Sequence, residues 1–137
     1  LKNIPKNTKA IILNYPGNPV GNIFTKDELA FIAQKAEGLD LLVLSDEIYG
    51  GLSFEVPHES FIKIPKMVER TILFDGLSKN FSMTGFRIGW ACGPAEIINA
   101  MTKIHQYSAM CSSSISQIAA IEALRRGKSE AKKMFDI

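Results

Sequence analysis

Three short stretches of this chain carry residues able to do chemistry. The first holds Asn14 and Asn18, the second Asp46 and Tyr49, and the third Ser78 and Lys79, with Arg87 a little further on. A lysine amine is a nucleophile for carbonyl groups, and near other cations or in a desolvated pocket its free-amine form becomes available. An aspartate taken out of water calls for a cationic partner. An arginine close behind a glycine suits a phosphate, which it grips with two parallel hydrogen bonds. Together these residues ask for a ligand with an aldehyde, a protonatable ring nitrogen, a phenolic oxygen and a phosphate. Taken singly, each has a plainer reading. Lys79 alone fits a solvated surface, Asp46 a cap or turn, Asn18 an Asn-Pro turn, Tyr49 strand-end packing, and Arg87 an ion pair with Asp75 or another acid.

The elements that must position these groups alternate strand and helix signals, which points to an α/β fold with a mostly parallel sheet and flanking helices. Ala10 to Leu13 is short, apolar and β-prone, and it ends at a turn-rich run from Asn14 to Pro19. Thr25 with Glu28 forms a capping-box pattern, and Leu29, Ile32, Ala33 and Ala36 then make one apolar helix face closed by Gly38. Leu41 to Leu44 is continuously apolar, as in a strand buried on both faces. Residues 50–69 are ambiguous, with Pro57 and Pro65 limiting any helix to short pieces. Thr71 to Phe74 and Ile88 to Cys92 are further strand candidates. Pro94 opens a helix with Ile97, Ile98, Met101 and Ile104 on one face. The serines at 112–114 can cap another, with Ile115, Ile118 and Ala119 on one face and Gly127 as its stop. In open α/β sheets the ligand crevice lies at the carboxyl ends of the strands, where all three chemical stretches fall.

Length and composition bound the rest. The chain has 137 residues, 46% hydrophobic and 22% charged, with a formal net charge of +2. That suits one ordinary domain and argues against disorder. The dense basic stretch at Arg125, Arg126, Lys128, Lys132 and Lys133 is interrupted by Glu130 and reads as a solvated helix end, so no nucleic-acid partner is expected. No apolar run reaches a membrane span, and no membrane partner is expected. Cys92 and Cys111 lack a CxxC pattern and read as small apolar fillers, with a reducing cytoplasm as the expected compartment. His58 and His105, the two histidines, read as surface or helix-face residues, and no metal site is expected. Glu47 reads as a structural partner, and Met83, Met101 and Met110 as core.

Pyridoxal 5'-phosphate (PLP) has the four groups that the three stretches ask for. The strings NYPGNPVG, SDEIY and LSKNFSMTGFRIGW further resemble the central motifs of the fold type I PLP-dependent aminotransferases of class I/II, the aspartate aminotransferase-like family. They occur in the family's order and run over most of residues 10–93. The resemblance implies that Lys79 forms a Schiff base with PLP and then moves the proton at the substrate carbon. It implies that Asp46 pairs with the pyridine nitrogen, that Tyr49 and Asn18 hydrogen-bond the phenolic oxygen, and that Arg87 binds the phosphate with help from Ser78. Asn14 reads as a loop-shaping residue.

The implied activity is transfer of an amino group between an amino acid and a 2-oxo acid. A C–S β-lyase or a cyclopropane-forming synthase on the same scaffold, or the aminotransferase-like effector domain of a transcription regulator, would keep the same cofactor residues. Gly76 departs from the serine that many relatives carry, and Phe86 and Trp90 exchange one aromatic for another. The family's full chains are roughly three times this length, beyond one ordinary domain. Residues 1–137 are therefore expected to be one segment of the large, PLP-binding domain of a homodimer, with an N-terminal part and a C-terminal small domain lying outside it. By itself this segment is expected to be inactive.

Overall fold

The computed structural model describes residues 3–135. Four strands form one sheet in the order β1-β2-β3-β4: β1 (Ala10–Asn14), β2 (Leu42–Asp46), β3 (Thr71–Gly76) and β4 (Gly89–Cys92). The first three are parallel, with Asn14 opposite Asp46 and Asp46 opposite Phe74. β4 returns antiparallel, placing Gly89 opposite Gly76. The α/β reading is met. What the apolar run at 88–92 could not show is strand direction, which is reversed by the short helix α2 (Leu77–Asn80) and a 3-10 turn over Thr84–Phe86.

Helix α1 (Lys26–Gly38) makes the crossover from β1 to β2. It starts at Thr25 because the Thr25 side chain accepts from the Glu28 N–H while the Glu28 carboxylate accepts from the Thr25 N–H at 2.8 Å. Such a cap contributes about 1 kcal/mol. The predicted face, Leu29, Ile32, Ala33 and Ala36, packs on Leu13 and Val43 of the sheet, together with Tyr15, Leu41, Phe61 and Met67. Each large side chain buried there contributes about 1.5–3 kcal/mol. The segment from 50 to 70 holds only two 3-10 turns, Gly50–Leu52 and Phe61–Lys63.

The sheet is covered mainly on this one face, although Ile72 of β3 is buried on the other. On the other, Ile12 is 73% exposed beside Leu44 and Phe74. Helices α3 (Ala95–Ser108), α4 (Ser114–Arg126) and α5 (Lys128–Phe135) complete the chain. Their apolar faces are largely uncovered: Ile97, Ile98 and Met101 are half-buried, while Ile104, Ile115 and Ile118 are exposed. Several apolar assignments change accordingly. Cys92 and Cys111 are exposed rather than filling gaps. Met110 is exposed, with Met83 and Met101 only partly covered. Among the described residues no helix is long and apolar enough to cross a membrane.

Candidate active site

The parallel pairing brings the carboxyl ends of β1, β2 and β3 to one edge. The first product of this is an interaction between Asn14 and Asp46, direct partners in the β1–β2 register. Asn14 Nδ2 donates to Asp46 Oδ2 at 2.9 Å, and the Ile48 N–H donates to Asp46 Oδ1 at 3.3 Å. Asn14 is thus more than a loop-shaping residue, since it fixes the aspartate's rotamer. Asp46 lies on the uncovered face, lining a hollow of about 410 Å³ with Ile12, Leu44, Ile48, Phe74 and Asp75.

The second product joins all three stretches. Asn18 Nδ2 donates to Tyr49 Oη at 3.0 Å, and Lys79 Nζ stands 5.6 Å from the centroid of the Tyr49 ring. Asn18 reaches this point on a loop with cis bonds at Tyr15-Pro16 and Asn18-Pro19. Tyr49 follows directly from the end of β2, and Lys79 lies in the single turn of α2 at the end of β3. Asn18 and Tyr49 also line a cleft of about 620 Å³ whose walls include Pro16, Leu52, Phe54 and Val56.

Other expected site residues stand apart from that contact set. Ser78 is half-buried in α2 beside Lys79. Arg87 is exposed, in the left-handed conformation at φ 49°, and its Nη1 donates to the Thr84 carbonyl at 3.0 Å. Its ion pair with Asp75, the plainer reading, is not formed. Asp75 instead accepts from the Gly76 N–H at 2.6 Å and from Asn80 Nδ2 at 3.4 Å. Burial pushes the Asp75 carboxyl above its usual range. Gly76 and Gly89 explain how β3 and β4 approach so closely before Lys79. A Cβ on Gly89 would lie 2.9 Å from the Asp75 carbonyl oxygen, and one on Gly76 would lie 2.9 Å from Gly89 Cα.

Behind the site lies a buried polar group that the sequence reading placed only in part. Glu47 is 5% exposed and accepts from Ser45 Oγ at 2.8 Å, His58 Nε2 at 2.7 Å and the Phe61 N–H at 3.0 Å. Burial raises its pKa, but these hydrogen bonds outweigh that and leave the carboxyl below its ordinary range. Its reading as a structural partner is met. His58 corrects its assignment: its side chain is only 10% exposed, drawn inward by that carboxylate. The alternation along β2 sends Asp46 and Glu47 to opposite faces.

Residues 1–136 match the family described as aminotransferase class I and II. The aspartate aminotransferase of Bacillus sp. (strain YM-2) is 44% identical over 137 residues, covering 98% of this chain and 35% of the relative. Among solved structures, N-succinyldiaminopimelate aminotransferase from Mycobacterium tuberculosis superposes with a TM-score of 0.93 at 35% identity, over 97% of this chain and 35% of that one. The aromatic aminotransferase from Pyrococcus horikoshii OT3 gives 0.91 at 38% identity, over 98% and 36%. The chain thus spans about a third of the length of the relatives it matches. With the motif residues gathered at one sheet edge and the match running through nearly every residue, the chain belongs to the class I and II aminotransferase family.

Proposed function

We propose that this segment is the central part of the large, cofactor-binding domain of a PLP-dependent aminotransferase, acting on an amino acid and a 2-oxo acid as a homodimer in the cytoplasm. The observation that carries this is the convergence of Asn18, Tyr49 and Lys79 at the sheet edge where Asn14 holds the Asp46 carboxylate in place. The donor set fits PLP in its chemistry: an amine for the aldehyde, a carboxylate for the ring nitrogen, a phenol and an amide for the phenolic oxygen, and a guanidinium for the phosphate.

Bound at this edge, PLP supplies an aldehyde that captures amino groups and a ring that withdraws electrons from the substrate carbon. The chain's residues do the rest. Lys79 Nζ is the amine that anchors the cofactor and then carries the proton to and from the substrate carbon. Asp46, oriented through both carboxylate oxygens, holds the proton on the ring nitrogen. Tyr49 Oη accepts from Asn18, which leaves its own proton free to be donated to the phenolic oxygen. Arg87 spends one donor on Thr84, and the rest of its planar fork is free to grip a phosphate, with Ser78 nearby in sequence.

The test is borohydride reduction of the longer protein after incubation with PLP, followed by peptide mapping of the modified lysine. Labelling concentrated at Lys79 and lost in Asp46→Ala or Arg87→Ala supports the reading. Labelling spread evenly over the lysines overturns it.

A further inference from the structure

The Asn18–Tyr49 hydrogen bond joins an irregular loop to the residue that opens the 3-10 turn Gly50–Leu52, and packing from behind can fix each of them. The buried Glu47–His58 pair is placed to do this on both sides. On the Tyr49 side, the His58 ring lies directly against the backbone of Gly50. A Cβ added there would fall 2.7 Å from His58 Cδ2, so no side chain fits between the imidazole and the residue that follows Tyr49. On the Asn18 side, the fully buried Tyr15 ring packs on His58 with centroids 5.0 Å apart. Tyr15 Oη donates to the Glu59 carbonyl at 3.1 Å, the next residue after His58. Glu47 grips this short segment at both ends, through His58 Nε2 at 2.7 Å and the Phe61 N–H at 3.0 Å.

The proton on the imidazole can be assigned from the network. A carboxylate offers no hydrogen, so Nε2 carries the N–H that meets Glu47. His58 Nδ1 is buried and has no hydrogen-bond partner among the described residues. The ring therefore serves as a wedge against Gly50 with one polar anchor.

We propose that His58 and Glu47 are positioning residues for the Asn18–Tyr49 pair: Glu47 orients His58, and His58 sets Gly50 and Tyr15, hence the distance between the two groups that face the cofactor's phenolic oxygen. This rests on the functional reading above. Neither residue touches the cofactor, and their influence passes through packing.

The experiment uses the full-length protein loaded with PLP and reads the pH midpoint at which the cofactor's visible absorbance changes, a property set by the donors to the phenolic oxygen. His58→Leu keeps the bulk but loses the anchor, and its midpoint is expected to rise by about half a pH unit, a roughly threefold change in equilibrium. His58→Gln places an amide nitrogen near the position of Nε2 and is expected to restore the wild-type midpoint. His58→Asn reaches only as far as Nδ1 and is expected not to. In a Tyr49→Phe background His58→Leu should add no further shift. The proposal is overturned if folded, loaded His58→Leu titrates at the wild-type midpoint, if Asn restores as well as Gln, or if the shift persists undiminished with Tyr49→Phe. Should His58→Leu fail to fold, the Gln and Asn variants decide alone, and equal midpoints overturn it. A wild-type protein that shows no visible band with PLP overturns the functional reading itself, and this proposal with it. That outcome is distinct from normal wild-type titration with unmoved variants.

Discussion

Asn14 holds Asp46 by a 2.9 Å hydrogen bond between residues that face each other across two parallel strands. Among the described residues the amide makes no other side-chain hydrogen bond, and the carboxylate's second oxygen is taken by the Ile48 N–H. Asn14→Ala should free the carboxylate to rotate. A hydrogen bond to a charged group contributes about 1.5–3 kcal/mol when shielded, and in this exposed pair about 1 kcal/mol, or roughly a fivefold loss of PLP affinity. Equilibrium dialysis of the full-length variant checks this; affinity within a factor of about two of wild type would remove Asn14 from the site.

Asn18 and Tyr49 share one neutral hydrogen bond at 3.0 Å, so their contributions should not add. In a double-mutant cycle of Asn18→Ala and Tyr49→Phe on kcat/KM, the coupling energy should be about 1 kcal/mol. Strict additivity would mean that the two side chains act separately on the cofactor.

Gly89 of β4 pairs with Gly76, the last residue of β3 before the helix that carries Lys79. Gly89→Ala puts a methyl group 2.9 Å from the Asp75 carbonyl, and because the obstacle is backbone the strand pair must open. The expected cost is about 1–3 kcal/mol, with a fall in Tm of about 1 °C per kcal/mol for a protein of this family's length. Thermal denaturation checks the first effect. Slower borohydride trapping at Lys79 would report the accompanying displacement of α2, and unchanged values of both would show that the strands adjust freely.

Acid sensitivity should separate two carboxyls of opposite character. Glu47 has its pKa lowered in the fold, so the stability it contributes is present above the ordinary value of 4.5 and is lost as pH falls through the lower folded value. Asp75 has its pKa raised by burial from an ordinary 3.8, so the folded state favours its protonated form, an advantage present in acid and lost as pH rises through the raised value. Glu47→Gln should therefore cost about 2–4 kcal/mol at neutral pH and less in acid. Asp75→Asn, which keeps an acceptor for Gly76 and Asn80, should improve relative to wild type as pH rises. Urea denaturation from pH 3 to 7 gives both differences, and curves parallel to wild type would contradict the assignments.

How much could be read beforehand depended on the distance over which each signal acts. Thr25 and Glu28 lie within one turn, so the capping box that starts α1 was legible and forms as expected. The strand ends were legible for the same reason, each marked by a local change from apolar to turn-forming residues. The partner of Asn14 was not, because it depends on strand register and lies in a different element. His58 sits among Glu55, Pro57, Glu59 and Ser60, a polar neighbourhood that reads as surface; only the carboxylate of Glu47, reached through the fold, draws it inside. For Cys92, Met110 and Cys111 the local sequence offers only residue type. Their exposure follows from where α3, α4 and β4 lie, which no local pattern encodes.

Asp46 and Glu47 are neighbours in the chain, yet one faces the open hollow on the sheet and the other the interior, separated by nothing more than the pleat. A carboxylate is therefore available to either side, and the identity of each is a matter of counting residues. Losing a single residue between Leu42 and Asp46 would invert the faces, presenting the longer side chain of Glu47 to Asn14 and turning Asp46 toward His58. Every chemical group would still be present, but each would be on the wrong side of the sheet. Along this strand, length should be guarded more strictly than composition, and a frame-preserving deletion should do more harm than most substitutions at the same positions.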